Sequence, residues 1–281
     1  MARYFITGGK PLRGEIRVSG SKNATLPILA ACLLHGAPNV ISGVPALKDV
    51  DTMCAVLSYL GARIHRHGDV VRVDSTGVQN LEVGEELMRR MRASNLVLGP
   101  LVGRFRCARI SYPGGCNIGS RPMNLHLKGL RAMGARIEER FGYITVEAPR
   151  LVGAEIHLDV PSVGATENIM MAAVLARGVT VIRNAAKEPE VVDLQNFLNR
   201  MGARIKGAGT DVIRIEGVEH LSSVEHTVIP DRIEAGTHLV AAAITGGDVR
   251  VTNVIPEHLE PVLAKLREMG LEVEVGDDWV R

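Results

Sequence analysis

Met133-Gly134-Ala135-Arg136-Ile137 returns 68 residues later as Met201-Gly202-Ala203-Arg204-Ile205, and Leu60-Gly61-Ala62-Arg63-Ile64 precedes both in nearly the same letters. A looser fourth copy, Met269-Gly270-Leu271-Glu272-Val273, follows at the same 68-residue interval. Self-similarity at a fixed spacing marks repeated structural units. Upstream of each glycine lies an apolar-periodic stretch that opens near a proline: Pro45, Pro122, Pro189 or Pro256. Proline near the first turn and glycine just past the last are helix punctuation. Downstream, alternating runs split around a turn, 63–66 with 70–73, 136–139 with 143–147, and 204–206 with 212–215. That pattern reads as hairpins.

Each unit also opens on a more apolar helix, entered through Thr25 before 26–34, Ser94 before 95–102, Thr166 before 169–176 and Thr237 before 239–244. The unit is therefore strand, helix, strand, helix, hairpin. The expected fold class is α/β, an inside-out α/β barrel in which the apolar first helices pack inside a shell of amphipathic second helices and sheets. The fourth unit stops inside its hairpin at Arg281, while 14–18 reads as a strand with no unit ahead of it. The two ends belong together on this reading. Residues 22–229 form one complete three-unit domain, and 1–21 with 230–281 form a second domain truncated to one unit of three.

Composition excludes several classes of function. Lys and Arg number 33 against 31 Asp and Glu, and aromatic residues make up 3% of the 281. Neither a basic field nor stacking platforms are available for nucleic acid. The first 20 residues carry Lys10, Arg13 and Arg17 and lack the apolar core of a signal peptide. The longest apolar run, 26–34, has nine residues including Pro27, against the ~20 of a membrane span. A cytoplasmic protein is expected. Cys32, Cys54, Cys107 and Cys116 form no Cys-x-x-Cys pair, so free thiols in a reducing compartment are the reading. His65 and His67 alternate along a strand without a third ligand nearby, and no metal is expected.

Four segments at unit openings carry chemistry. Ser21-Lys22-Asn23-Ala24-Thr25 sets a cation and an amide just ahead of a helix start, which favours an anion. Taken alone it reads as a solvated lysine beside an ordinary cap. Arg89-Arg90-Met91-Arg92-Ala93-Ser94 is in the main a wet basic face, with Arg92 as the member able to grip phosphate or carboxylate. The third, Pro113-Gly114-Gly115-Cys116-Asn117-Ile118-Gly119-Ser120-Arg121-Pro122, places a cysteine in a glycine-rich loop next to a guanidinium and a helix start. Those neighbours lower a thiol pKa. A passive exposed thiol is the alternative. The fourth, 159–166, offers small groups and backbone donors at another helix start, while Glu188, Glu190 and Asp231 read as caps of the helices that follow.

In this order the segments resemble one family closely over essentially the whole chain, the UDP-N-acetylglucosamine 1-carboxyvinyltransferases, enolpyruvyl transferases of peptidoglycan synthesis. The resemblance implies two domains of three similar units with the active site between them. It implies transfer of the enolpyruvyl group of phosphoenolpyruvate to the sugar 3-hydroxyl, with loss of phosphate and no cofactor or metal. Cys116 would donate the proton and be able to add to phosphoenolpyruvate. Lys22, Asn23 and Arg121 would bind phosphoenolpyruvate, and Arg92, Arg121, Pro122, Met123, Asn124, Leu125, Ser162, Val163 and Gly164 would hold the nucleotide sugar. Two departures stand out. The family usually has a carboxylate where this chain has Asn124, and its general base belongs to a fifth unit, so the 281 residues alone are expected to turn over very slowly. A shikimate-pathway enolpyruvyl transferase is the competing enzyme reading, but that group lacks the cysteine loop. A non-catalytic UDP-sugar-binding protein is the competing reading of another class.

Overall fold

The computed structural model describes residues 3–5, 7–114 and 122–281. In chain order the first repeat is β1 (Arg13–Arg17), α1 (Lys22–Ala31), β2 (Pro38–Ser42), α2 (Lys48–Leu60) and the hairpin β3 (Arg63–His67) and β4 (Val70–Asp74). The second is β5 (Glu82–Val83), the single turn α3 (Glu85–Met88), α4 (Leu98–Phe105), β6 (Cys107–Ser111), α5 (Asn124–Ala132), β7 (Arg136–Arg140) and β8 (Tyr143–Glu147). The third is β9 (Glu155–His157), α6 (Val163–Ala173), β10 (Val179–Arg183), α7 (Pro189–Arg200), β11 (Arg204–Lys206) and β12 (Val212–Glu216). The fourth comprises β13 (Glu225–Thr227), α8 (Arg232–Ile244), β14 (Asp248–Thr252), α9 (Glu260–Glu268) and β15 (Trp279–Val280).

These elements fall into two compact units, residues 22–228 and residues 1–21 with 229–281. In the larger unit each repeat contributes a four-stranded sheet of one design. A short strand runs parallel to the next strand, which pairs antiparallel with the hairpin: β5-β6-β8-β7, β9-β10-β12-β11 and β13-β2-β4-β3. In the last of these the chain closes on itself, since β13 pairs with β2 from almost the far end of the unit. Inside the sheets sit α1, α4 and α6, with every residue from Ala24 to Ala31 and from Ala165 to Ala173 buried. The fold is thus the expected inside-out α/β arrangement. In the smaller unit β1 runs parallel to β14, and β15 pairs antiparallel with β14.

The repeated glycines sit where the second helices stop. Gly61, Gly134, Gly202 and Gly270 all have positive φ, between 86° and 108°, the left-handed conformation that ends a helix without a Cβ penalty. At Gly61 there is also no room, because a Cβ would stand 2.5 Å from the Gly77 carbonyl oxygen, whereas at Gly202 the nearest atom is 3.9 Å away. Gly61→Ala is therefore expected to cost about 3 kcal/mol or more and Gly202→Ala about 1 kcal/mol. Urea denaturation of the two variants side by side reads the difference, and equal losses would contradict it.

The starts of the first helices differ from the sequence reading. Helix α1 begins at Lys22 rather than after Thr25, α6 at Val163 rather than after Thr166, and α8 at Arg232 rather than after Thr237. Ser94 lies inside a 3-10 turn, Arg92–Val97, that runs directly into α4. The capping groups stand earlier. Ser162 Oγ accepts from the Ala165 N–H at 3.4 Å, and Asp231 accepts from Ile233 and Glu234 at 2.8 and 3.0 Å. A hydroxyl inside a helix has its own local partners. Thr237 donates to the Ile233 carbonyl at 2.7 Å and Thr166 accepts from the Ala186 N–H at 3.2 Å, so a threonine before an apolar run does not mark the cap.

Candidate active site

Lys22, Asn23, Arg92, Ser162, Val163 and Gly164 stand at the amino ends of the three buried helices. Lys22 opens α1, with Asn23 next to it and exposed. Lys22 Nζ lies 2.9 Å from Asp49 Oδ2 in α2, and both side chains are more than one third exposed, at 38% and 37%. A pair this open contributes about 0–1 kcal/mol to folding, so the ammonium is held in place at little cost and stays within reach of solvent. Arg92 opens the 3-10 turn ahead of α4, and Ser162 caps α6, with Val163 and Gly164 in its first turn. Three helix starts bearing a lysine, an arginine and a glycine turn gather backbone N–H groups and positive charge, which suits an anionic ligand.

Between two of these starts lies a polar network that sequence reading did not find. His126 of α5 is 4% exposed, and a Cβ on Gly164 would stand only 3.2 Å from its Cε1. Burial, with a smaller contribution from the Arg92 charge, pushes the imidazole pKa down to about 4. His126 is therefore neutral at physiological pH. Its Nδ1 lies 3.0 Å from Asn168 Nδ2; with the amide donating there, the ring proton is on Nε2, facing the Gly164 side as an uncharged donor. Asn168 also donates to the Asn95 carbonyl at 3.2 Å and accepts from the Gly99 N–H at 2.7 Å. One buried amide thus fixes α6 against α4, the 3-10 turn and α5. An asparagine within an apolar helix was the available signal.

The stretch 122–125 divides between surface and core. Pro122 and Asn124 are exposed. Met123 is buried, its Sδ accepting from Asn95 Nδ2 at 2.9 Å, and Leu125 is 7% exposed within the core. Their side chains pack the unit. Cys116 and Arg121 lie outside the described residues. At the entry to their loop, a Cβ on Gly114 would meet the Arg89 carbonyl oxygen at 2.9 Å, and the Gly114 N–H donates to the Met88 carbonyl. Chain packing by itself therefore requires that glycine. The other three thiols are held protonated: burial raises the pKa of Cys32, Cys54 and Cys107, and Cys32 donates to the Ile28 carbonyl.

Asp231 caps α8 through its side chain, as expected. Glu188 occupies the N-cap position of α7 but makes no side-chain cap bond, and Glu190 is buried at 2% exposure. Beside them Glu167 of α6 is fully enclosed, its Oε1 without a hydrogen-bond partner among the described residues. Burial first, then the charges of Glu190 and Glu188, raise its pKa well above the usual carboxylate range. His65 and His67 are exposed on β3, and among the described residues no cluster of three His, Cys, Asp or Glu side chains is placed to hold a metal. No helix among them is long and apolar enough to cross a membrane.

Comparison with known proteins agrees with this architecture. The family model for EPSP synthase (3-phosphoshikimate 1-carboxyvinyltransferase) matches residues 6–281. A UDP-N-acetylglucosamine 1-carboxyvinyltransferase of Carboxydothermus hydrogenoformans is 58% identical over all 281 residues, 67% of its own length. One from Symbiobacterium thermophilum is 60% identical over 277 residues, covering 96% of this chain and 63% of the relative. The chain thus spans about two thirds of the length of the curated relatives it matches. The crystal structure of the enolpyruvyl transferase NikO from Streptomyces tendae superposes with a TM-score of 0.86 at 26% identity, over 97% of this chain and 66% of that one. EPSP synthase from Acinetobacter baumannii shares the fold at a TM-score of 0.73 and 22% identity, over 97% of this chain and 64% of its own. With four sequence repeats, buried helices inside mixed sheets and relatives of this identity, the chain belongs to the EPSP synthase family of enolpyruvyl (carboxyvinyl) transferases.

Proposed function

We propose that this sequence supplies the nucleotide-sugar side and the proton donor of a cytoplasmic enzyme that moves the enolpyruvyl group of phosphoenolpyruvate onto the 3-hydroxyl of UDP-N-acetylglucosamine, releasing phosphate and committing the sugar to peptidoglycan. The observation that carries the reading is the placement of Lys22 and Asn23, Arg92, and Ser162 to Gly164 at the starts of the three buried helices. The names of relatives 58–60% identical favour this acceptor over a shikimate phosphate. In this reading Arg92, Ser162 and Gly164, with the neutral His126 behind them, hold the UDP-sugar, while Lys22 and Arg121 take the charge of phosphoenolpyruvate. Cys116 delivers a proton to the methylene carbon as the sugar oxygen adds to the enol carbon. Phosphate then leaves with its electron pair as the methyl group gives back a proton. These 281 residues hold four repeats, and the proton acceptor implied by the resemblance belongs to a fifth. Residues 22–229 serve as the complete three-repeat domain, and 1–21 with 230–281 as one repeat of another.

Calorimetric titration of UDP-N-acetylglucosamine into the 281-residue chain tests the reading. Binding is expected, and Arg92→Ala is expected to weaken it by ~10–100-fold, the effect of losing a charge-assisted contact. Affinity equal in Arg92→Ala and the parent would remove the guanidinium from the site.

A further inference from the structure

The carboxyl ends of the same three helices converge on a second cavity that the transferase reading does not use. It has a volume of ≈ 960 Å³, at the upper end of the ~300–1,000 Å³ range of small-molecule sites. Its walls are formed where α1, α4 and α6 end, by His35, Arg104, Arg106 and Arg177, together with Arg150 from the loop after β8 and Glu219 from the loop after β12. Each helix rises 1.5 Å per residue, so this pole lies a helix length from Lys22, Arg92 and Ser162.

Four arginines and one glutamate belong to this lining. Helix carboxyl ends account for part of that charge, since three of them carry about half an elementary negative charge each, about −1.5 in all. Arg104 Nη1 donates to the Leu33, His35 and Ser75 carbonyls at 2.9, 3.1 and 3.3 Å, and Arg106 Nη2 donates to the Leu175 carbonyl at 3.0 Å. These two arginines close off the helix ends. A positive surplus remains. Arg106 Nη1 is buried with no hydrogen-bond partner among the described residues, and Arg150 and Arg177 are exposed at the rim with no side-chain hydrogen bond to any described residue. A buried donor without an acceptor is destabilising, and a guanidinium fork matches phosphate oxygens in two-point geometry.

We propose that this pole is a binding site for a phosphorylated small molecule carrying at least two phosphate charges, separate from the candidate active site. Inorganic pyrophosphate is the probe, titrated calorimetrically into the full 281-residue chain, the Arg150→Glu/Arg177→Glu double variant and the Lys22→Ala/Arg92→Ala double variant. The charge reversal at the pole is expected to weaken pyrophosphate binding by at least ~10-fold while leaving the circular dichroism spectrum and UDP-N-acetylglucosamine binding unchanged. The active-site variant is expected to keep a pyrophosphate site of parental affinity. No measurable pyrophosphate binding to the parent chain, or binding that survives in Arg150→Glu/Arg177→Glu and disappears in Lys22→Ala/Arg92→Ala, would overturn the proposal without touching the transferase reading.

Discussion

Asn168→Leu is expected to destabilise the chain by about 3–5 kcal/mol, the range for breaking a buried polar network. Leucine is close in size to asparagine, so the cavity term is small and the loss comes from partners left behind. Two are orphaned together, the Gly99 N–H and His126 Nδ1, and the Asn95 carbonyl is left with the Leu98 N–H alone. Each buried unpaired group costs about 1–3 kcal/mol, and none has solvent access in this part of the core, where Asn95 is 4% and Asn168 0% exposed. The same change frees the His126 ring. The account therefore expects weaker UDP-N-acetylglucosamine binding even under conditions where Asn168→Leu remains folded. Urea denaturation gives the first quantity and calorimetry the second. A variant as stable as its parent would show that the network carries no such weight.

Glu167→Gln is expected to stabilise the chain, and to do so more as pH rises. The folded-state pKa of Glu167 is raised, by burial and by the charges of Glu190 and Glu188, so between the ordinary glutamate pKa and the folded value the native state holds a proton that the unfolded state has lost. Stability must fall with rising pH throughout that window, by up to about 1.4 kcal/mol per pH unit. Below 4.5, the ordinary glutamate value, both states are protonated and the penalty vanishes. Glutamine keeps the shape and removes the titration. Denaturation curves of parent and Glu167→Gln should therefore nearly coincide near pH 4.5 and separate progressively toward pH 8, with the variant above. Parallel pH profiles would show that Glu167 ionises in the native state without cost.

Features written in local sequence were legible, and those made by distant pairing were not. The helix stops at Gly61, Gly134, Gly202 and Gly270 carry their own signal, because a left-handed residue after an apolar-periodic stretch points to glycine whatever surrounds it. The hairpins followed from alternation. The helix starts were misplaced by four to six residues where Thr25, Thr166 and Thr237 imitated caps, since a hydroxyl reads the same in sequence whether it bonds a free N–H or a carbonyl within the helix. His126 and Asn168 were invisible for another reason. Their meaning comes from partners 42 and 73 positions apart, and beyond the polar Asn168 inside an apolar helix nothing local points to those partners. Glu167 escaped notice likewise, as one charge in a buried helix whose companions arrive with α7.

The central claim is that one thiol of four serves phosphoenolpyruvate chemistry in a site built on the three helix starts. Burial raises the pKa of Cys32, Cys54 and Cys107, and the proposal assigns the reactive thiolate to Cys116. The most direct test is intact-mass spectrometry of the native chain exposed at neutral pH to an electrophilic mimic of phosphoenolpyruvate. The account predicts a single adduct, mapped to Cys116, absent in Cys116→Ser and undiminished in Cys54→Ser. An adduct that persists in Cys116→Ser, or that maps to Cys54 or Cys107, would contradict it.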